Sequence, residues 1–134
     1  MSNMQVKNMS FEAGKELKVT GVPKSDACGF SINVGHCEDR VALHFNPRFD
    51  CHGDHRTIVC NSKLDGGWNE EQRVAEFPFQ QGEEFKVTIS FDNDEFRIKL
   101  PDDNVVQFPN RLGDDKYKFI FIDGDVRIKA FKIK

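Results

Sequence analysis

The sequence predicts an all-β fold, a jelly-roll-like sandwich of two antiparallel sheets, and three observations carry that expectation. Apolar and polar residues alternate in short runs, turn residues divide those runs, and no segment keeps a helical period for the ten or so residues a convincing helix requires. The third is composition: thirteen Phe stand against one Trp and one Tyr, which suits a core of rings carried on alternating strand positions.

The elements follow in order. Residues 17–20 lead to Gly21, 29–34 to Gly35, and 41–45 to Asn46-Pro47, each a short apolar run stopped by a turn residue. Residues 85–91 and 96–100 flank Asp92-Asn93-Asp94 and stop at Pro101, a hairpin by pattern. Residues 117–122 and 126–133 flank Asp123-Gly124-Asp125 and read as a second hairpin. In all, about ten or eleven strands are expected, enough for two sheets packed face to face. In the last run Val126, Ile128 and Ala130 share one face by strict alternation, and Phe131 and Ile133 fall on the other. Either both sets are core, or the outer set packs on a terminal strand or a second copy of the chain.

A chain of 134 residues, 38% apolar and 31% charged, suits one domain over residues 1–134. No apolar run approaches the roughly 20 residues of a membrane-spanning helix, so membrane insertion is not expected. Net charge is −3 with the two signs interspersed, which leaves no basic stripe for a phosphate backbone and argues against nucleic acid as a partner. Met1-Ser2-Asn3-Met4-Gln5 lacks the basic segment and apolar stretch of a secretory signal, so cytosolic synthesis is expected. With it come four free thiols at Cys28, Cys37, Cys51 and Cys60, and no use of the glycosylation sequon Asn8-Met9-Ser10.

The functional signal lies in the middle of the chain. Alternation through residues 44–48 puts His44, Asn46 and Arg48 on one side and Phe45 with Leu43 on the other, and Asn61 stands opposite Ile58 and Cys60 one strand later. The single Trp68 follows Gly66-Gly67 and precedes the polar Asn69-Glu70-Glu71-Gln72-Arg73, surroundings that suit a surface indole rather than a core one. A pyranose offers an apolar ring face and hydroxyls that both donate and accept. Trp68 supplies a plane for the first; His44, Asn46, Arg48, Asn61, Glu71 and Arg73 supply mixed donors and acceptors for the second. Phosphate would ask for donors alone.

These segments resemble the signature of the galectins, the β-galactoside-binding lectins. The likeness rests on residues 44–48, on Val59-Cys60-Asn61 and on residues 68–73, and extends to Phe49-Asp50-Cys51-His52-Gly53-Asp54, Phe77-Pro78-Phe79 and residues 108–112. It therefore covers nearly the whole chain, and the length is similar to prototype members that pair as homodimers. The resemblance implies galactose lying over Trp68, its axial 4-hydroxyl bonded by His44, Asn46 and Arg48, and its 6-hydroxyl taken by Asn61 and Glu71. It further implies that Arg48, Glu71 and Arg73 reach the neighbouring glucose or N-acetylglucosamine, which His52 flanks. Homodimerisation through terminal strands, with Val6, Phe131 and Ile133 as candidates, cross-linking of glycans and extracellular action after unconventional export belong to the same implication. The sequence departs from the family at Asn69, where Gly is most common.

Other chemistry is poorly supported. Glu71 is the only carboxylate in the constellation, so the carboxylate pair of a glycoside hydrolase is absent, and no catalytic nucleophile or phosphate-loop motif appears. Cys51, His52 and His55, with His36 and Cys37 earlier, do not have the spacing of a recognised metal-ligand set, and no cofactor is expected. The alternative is a structural, crystallin-like relative that keeps the fold and has lost the sugar. For four free thiols acting outside the cell, loss of activity on oxidation is the expectation.

Overall fold

The computed structural model describes residues 2–134. The described residues form twelve strands: β1 (Ser2–Glu12), β2 (Glu16–Pro23), β3 (Phe30–Cys37), β4 (Arg40–Cys51), β5 (Asp54–Leu64), β6 (Gly67–Trp68), β7 (Gln72–Val74), β8 (Phe85–Phe91), β9 (Glu95–Lys99), β10 (Val105–Pro109), β11 (Lys116–Gly124) and β12 (Val126–Ile133). One sheet runs β1-β11-β3-β4-β5-β6, with β7 also paired to β5; the other runs β10-β9-β8-β2-β12. All pairings are antiparallel.

Alternation fixes which side of each strand is buried. Leu17 and Val19 of β2, Val87 and Ile89 of β8, and Ile98 of β9 face Ile32 and Val34 of β3, Leu43 and Phe45 of β4, and Ile58 of β5; each is fully enclosed. The phenylalanines other than Phe119 and Phe121, which cluster apart with Val41, fill the gap between sheets as a chain of ring contacts. Phe30 stacks on Phe85 at 5.0 Å and meets Phe79 edge-on at 5.7 Å; Phe91 stacks on Phe96 at 5.1 Å and meets Phe11 edge-on at 4.9 Å. Such pairs add about 0.5–1.5 kcal/mol each beyond the area they bury. At the end of this core Tyr117 donates its hydroxyl to Asn110 Oδ1 at 2.6 Å, so the largest buried polar group is paired.

β4 does not stop at Asn46-Pro47 but runs on to Cys51. Regular pairing with β3 extends only to Phe45, and beyond it that edge of β4 keeps a single isolated bridge, Gly29 to Arg48. A proline in such a stretch costs little of a ladder. Pairing with β5 continues through Pro47, opposite Ile58, which carries the polar face of β4 to Arg48.

Two further expectations are corrected. Residues 117–122 and 126–133 form no hairpin: β11 pairs with β1 and β3, β12 pairs with β2 in the other sheet, and the Asp123-Gly124-Asp125 corner carries the chain between sheets. Gly124 makes that corner at φ 97°, where a Cβ would lie 2.7 Å from both the Gly29 carbonyl oxygen and Phe30 Cα. In β12 the register slips between Ile128 and Ala130, so Lys129 is the extra residue of a bulge. The slip reverses the alternation. Phe131 and Ile133 come opposite Val19 and Leu17, on the same core side as Val126 and Ile128, while Ala130 is exposed.

The expectation of four free thiols is also corrected. Cys28 and Cys51 are joined in a disulfide, because the loop before β3 is drawn against the end of β4 by hydrogen bonds from Phe49 N–H (2.8 Å) and Asp50 N–H (3.1 Å) to the Cys28 carbonyl. Cys37 is free and exposed; Cys60 is free and buried, and burial pushes its thiol up to about 12, so it stays protonated.

Candidate functional site

The outward face of β4 and its neighbours forms the floor of an open groove of about 910 Å³. His44, Asn46, Arg48, His52, Asn61, Trp68, Glu71 and Arg73 all line it, so every residue singled out in the sequence reaches one place. β4 presents His44, Asn46 and Arg48, β5 presents Asn61 opposite His44, and β6 and β7 bring Trp68 and Arg73 against β5.

Trp68 owes its position to a tight hairpin. Asp65 (φ 51°) and Gly66 (φ 80°) are both left-handed, the two-residue turn that matches strand twist, and they pair Gly67 with Leu64 and Trp68 with Lys63. The indole is 52% exposed, a high value for the only Trp of the chain, and so presents a free aromatic surface. Its ring centroid lies 4.6 Å from that of His44, and Lys63 Nζ lies 5.1 Å from it. Asn69 does not disturb this loop; it ties it down. Its N–H donates to the Ser62 carbonyl (2.9 Å), its Nδ2 donates to Ser62 Oγ (3.0 Å), and its carbonyl accepts from Asn61 Nδ2 (3.0 Å). From the opposite side Arg111 Nη1 donates to Ser62 Oγ at 3.0 Å and Asn61 Oδ1 at 3.3 Å, with its guanidinium over Phe108.

The polarity of His44 is settled by Asn33 of β3, which is 1% exposed. Asn33 Nδ2 donates to Ser31 Oγ (3.0 Å) and the Phe121 carbonyl (3.2 Å), so its Oδ1 is an acceptor toward His44 Nδ1 at 2.6 Å. Nδ1 therefore carries the proton and Nε2 is left with its lone pair. Burial, reinforced by the neighbouring Arg48 charge, lowers the His44 pKa to about 4, so the ring is a neutral acceptor at physiological pH.

Because the folded pKa lies below the ordinary 6.5, the unfolded chain takes up a proton between pH 6.5 and about 4 that folded His44 refuses. This group's contribution to stability is full above pH 6.5 and falls with decreasing pH, by at most about 1.4 kcal/mol per pH unit, until about pH 4. Nitrogen NMR should show the His44 ring unchanged from pH 7.5 to about 5.5; titration centred near the ordinary histidine value would contradict the assignment.

Arg48 is held on three sides. Its Nε donates to Asn46 Oδ1 (3.0 Å), its Nη1 to Asp54 Oδ2 (2.7 Å), and its Nη2 lies 3.9 Å from Glu71 Oε2. Asn46 in turn donates Nδ2 to the Phe30 carbonyl at 2.7 Å. Asp54 receives Arg73 as well, Nε on Oδ1 and Nη2 on Oδ2 at 3.1 Å each, and Arg73 Nη1 reaches Glu71 Oε1 at 3.0 Å. The result is a closed chain of two guanidinium and two carboxylate groups. The hydrogen bonds from Arg73 and then Arg48 hold the Asp54 carboxyl below the usual carboxylate range, and Asp54 followed by Glu71 raises the pKa of Arg73.

Asp54 and Asn33 were not among the residues the sequence pointed to, yet they orient Arg48, Arg73 and His44. Counting back from Ile58 and Cys60 puts Asp54 on the core side; the left-handed backbone at Arg56 breaks that phase, and Asp54 meets Arg48 and Arg73 instead. Among the described residues, no group of three or more His, Cys, Asp or Glu side chains is placed to hold a metal ion.

The family model for galactoside-binding lectins matches residues 3–133. The chain belongs to the galactoside-binding lectin family. Among its relatives, the 16 kDa β-galactoside-binding lectin of Gallus gallus is 50% identical over 95% of this chain and 94% of its own length. A homodimeric agglutinin from chicken liver superposes with a TM-score of 0.94 at 49% identity, covering 98% of each chain. Congerin II, in a structure liganded with lactose and MES, superposes with a TM-score of 0.95 at 39% identity, again over 98% of each chain. The two-sheet architecture of this galectin is thus that of its family.

Proposed function

We propose that this galectin is a non-enzymatic lectin that binds β-galactosides of the lactose and N-acetyllactosamine class through one recognition domain spanning residues 1–134. The observation that carries the reading is the fixed polarity of its central trio. His44 Nε2 can only accept, Arg48 can only donate, and both line the groove that holds the exposed Trp68, with His44 against its ring. A galactose stacked on the indole directs its axial 4-hydroxyl at this trio, where it donates to His44 and accepts from Arg48, with Asn46 alongside. An equatorial hydroxyl leaves those groups unpaired, a loss of roughly 1–3 kcal/mol per buried polar group. Asn61 and Glu71 serve the 6-hydroxyl; Arg48, Glu71, Arg73 and His52 serve the second ring. The lactose-liganded relative and the galactoside-binding chicken lectin support this reading.

One stacked ring and several exposed hydrogen bonds leave roughly −4 to −7 kcal/mol, hence millimolar to micromolar affinity, so function depends on valency. We propose a homodimer that bridges glycans on cells or glycoproteins after unconventional export of a cytosolic product. β1 and β12 are edges of the two sheets and adjoin, with Asn3 Nδ2 donating to the Val126 carbonyl at 3.2 Å. Val6, Phe131 and Ile133 on them are packed against the core but only partly buried, which leaves an apolar margin that such a dimer would cover, and the homodimeric chicken relative supports homodimerisation. Sedimentation and agglutination on one sample test it: a species of twice the chain mass should agglutinate cells bearing galactosides, lactose should block it, and Trp68→Ala should abolish it. Agglutination by a folded Trp68→Ala protein would sink the site. Lack of retention on immobilised lactose by the unmodified protein would favour the structural, crystallin-like role.

A further inference from the structure

β6 ends at Trp68 and β7 begins at Gln72, so the stretch that carries Glu71 is not held by either strand's ladder. Asn69 holds it by other means. Its N–H donates to the Ser62 carbonyl, its Nδ2 donates to Ser62 Oγ, and its carbonyl accepts from Asn61 Nδ2. Ser62 is fully enclosed and its Oγ also receives Arg111 Nη1, so the anchor is itself fixed. The Asn69 backbone is not left-handed, and the fold therefore does not ask for the glycine common at this position in the family.

The same network decides which way round the Asn61 amide stands. The Ser62 N–H can only donate, and it lies 2.8 Å from Asn61 Oδ1, which also receives Arg111 Nη1 at 3.3 Å. Both lone pairs of that oxygen are thus engaged. Nδ2 gives one hydrogen to the Asn69 carbonyl and has a second with no partner among the described residues. Asn61, Asn69 and Glu71 all line the groove, so Asn61 offers a ligand there a donor only, while the Glu71 carboxylate offers an acceptor.

We propose that Asn69 is a positioning residue of the sugar site: its side chain ties residues 69–71 to Ser62 and so holds Asn61 as donor and Glu71 as acceptor on the 6-hydroxyl of galactose. The inference rests on the reading as a galactoside lectin and adds a determinant that needs no sugar contact of its own. Truncating the side chain leaves the main-chain bonds of residue 69 but loosens the stretch, and ordering it again on binding opposes affinity. Trp68, paired with Lys63 in the β5–β6 ladder, and the 4-hydroxyl contacts from β4 do not depend on that tether.

The test is NMR titration with lactose and with 6′-deoxylactose, which carries a methyl group in place of the hydroxymethyl of the galactose ring. Both are read at the indole N–H of Trp68, the single Trp of the chain. In Asn69→Ala the lactose Kd should rise by about three- to tenfold and that of the 6′-deoxy sugar by less than about twofold. Asn69→Gly should show the same split and serves if the alanine variant does not fold. Ser62→Ala should reproduce it, and combining Ser62→Ala with Asn69→Ala should add no more than about twofold to either single loss. Unchanged lactose affinity in a folded Asn69 variant, equal losses for both sugars, or additive losses in the double variant would overturn the proposal. No lactose binding by the unmodified protein would overturn the lectin reading itself.

Discussion

Arg48→Ala is expected to abolish retention on immobilised lactose while leaving the sandwich folded. Arg48 contributes the donors at the centre of the groove, and its side chain is only 11% exposed, so what it pairs with is largely shielded from water. Truncation removes the proposed donors to the 4-hydroxyl and to the second ring. It also leaves Asn46 Oδ1 without its guanidinium partner and removes one of the two arginines on Asp54. Losing one partner of a hydrogen-bonded, buried charge pair costs about 2–5 kcal/mol, roughly thirtyfold or more in affinity. That is most of the binding free energy proposed for a lactose-class ligand. Column retention and calorimetry read the loss, with a circular dichroism melt to show that the variant is folded. Binding within about threefold of wild type in a folded Arg48→Ala protein would remove Arg48 from the site.

Asp54→Asn is expected to weaken lactose binding by about an order of magnitude although Asp54 is assigned no sugar contact. The carboxylate accepts two arginines at once, bidentate from Arg73 and through Nη1 from Arg48. An amide keeps one accepting oxygen and turns a donor toward the other guanidinium, so one arginine must swing away. The readout that separates positioning from general destabilisation is a double-mutant cycle with Arg73→Ala. If Asp54 acts through Arg73 and Arg48, the two substitutions are strongly non-additive in lactose affinity. Additive losses, or unchanged affinity in Asp54→Asn, would contradict the closed-chain arrangement.

The strand pattern revealed much of this molecule for a definite reason. Between His44 and Arg48 the backbone alternates without interruption, so the sequence alone separates Leu43 and Phe45 from His44, Asn46 and Arg48, and the burial follows that division. Asn61 was legible for the same reason, being opposite His44 in register. Where alternation is interrupted, the sequence misleads. The extra residue at Lys129 moves Phe131 and Ile133 from the outer face to the core side, and the left-handed Arg56 interrupts the alternation that would have hidden Asp54 from Arg48 and Arg73.

Turn chemistry is a second source of error. Asp123-Gly124-Asp125 has the composition of a hairpin turn, but Asp125 N–H donates to the Gly29 carbonyl, and the chain passes to the other sheet. The Asp65-Gly66 pair, by contrast, is a true two-residue hairpin and is the signal by which β6 and the position of Trp68 could have been found. The Cys28–Cys51 bridge was out of reach of spacing arguments, since the loop before β3 meets the end of β4 only through tertiary contacts. Asn69 was legible as a departure from the family but not in its consequence, which depends on Ser62 being placed to receive it.

The central claim is that His44, Asn46 and Arg48 read an axial 4-hydroxyl. It is tested most directly by calorimetric titration of one sample with lactose and with cellobiose, which differ only in the configuration at that carbon of the terminal ring. Lactose should bind in the millimolar to micromolar range with one sugar per chain, and cellobiose should give no measurable heat of binding. Equal affinity for the two disaccharides, or binding of neither, would contradict it.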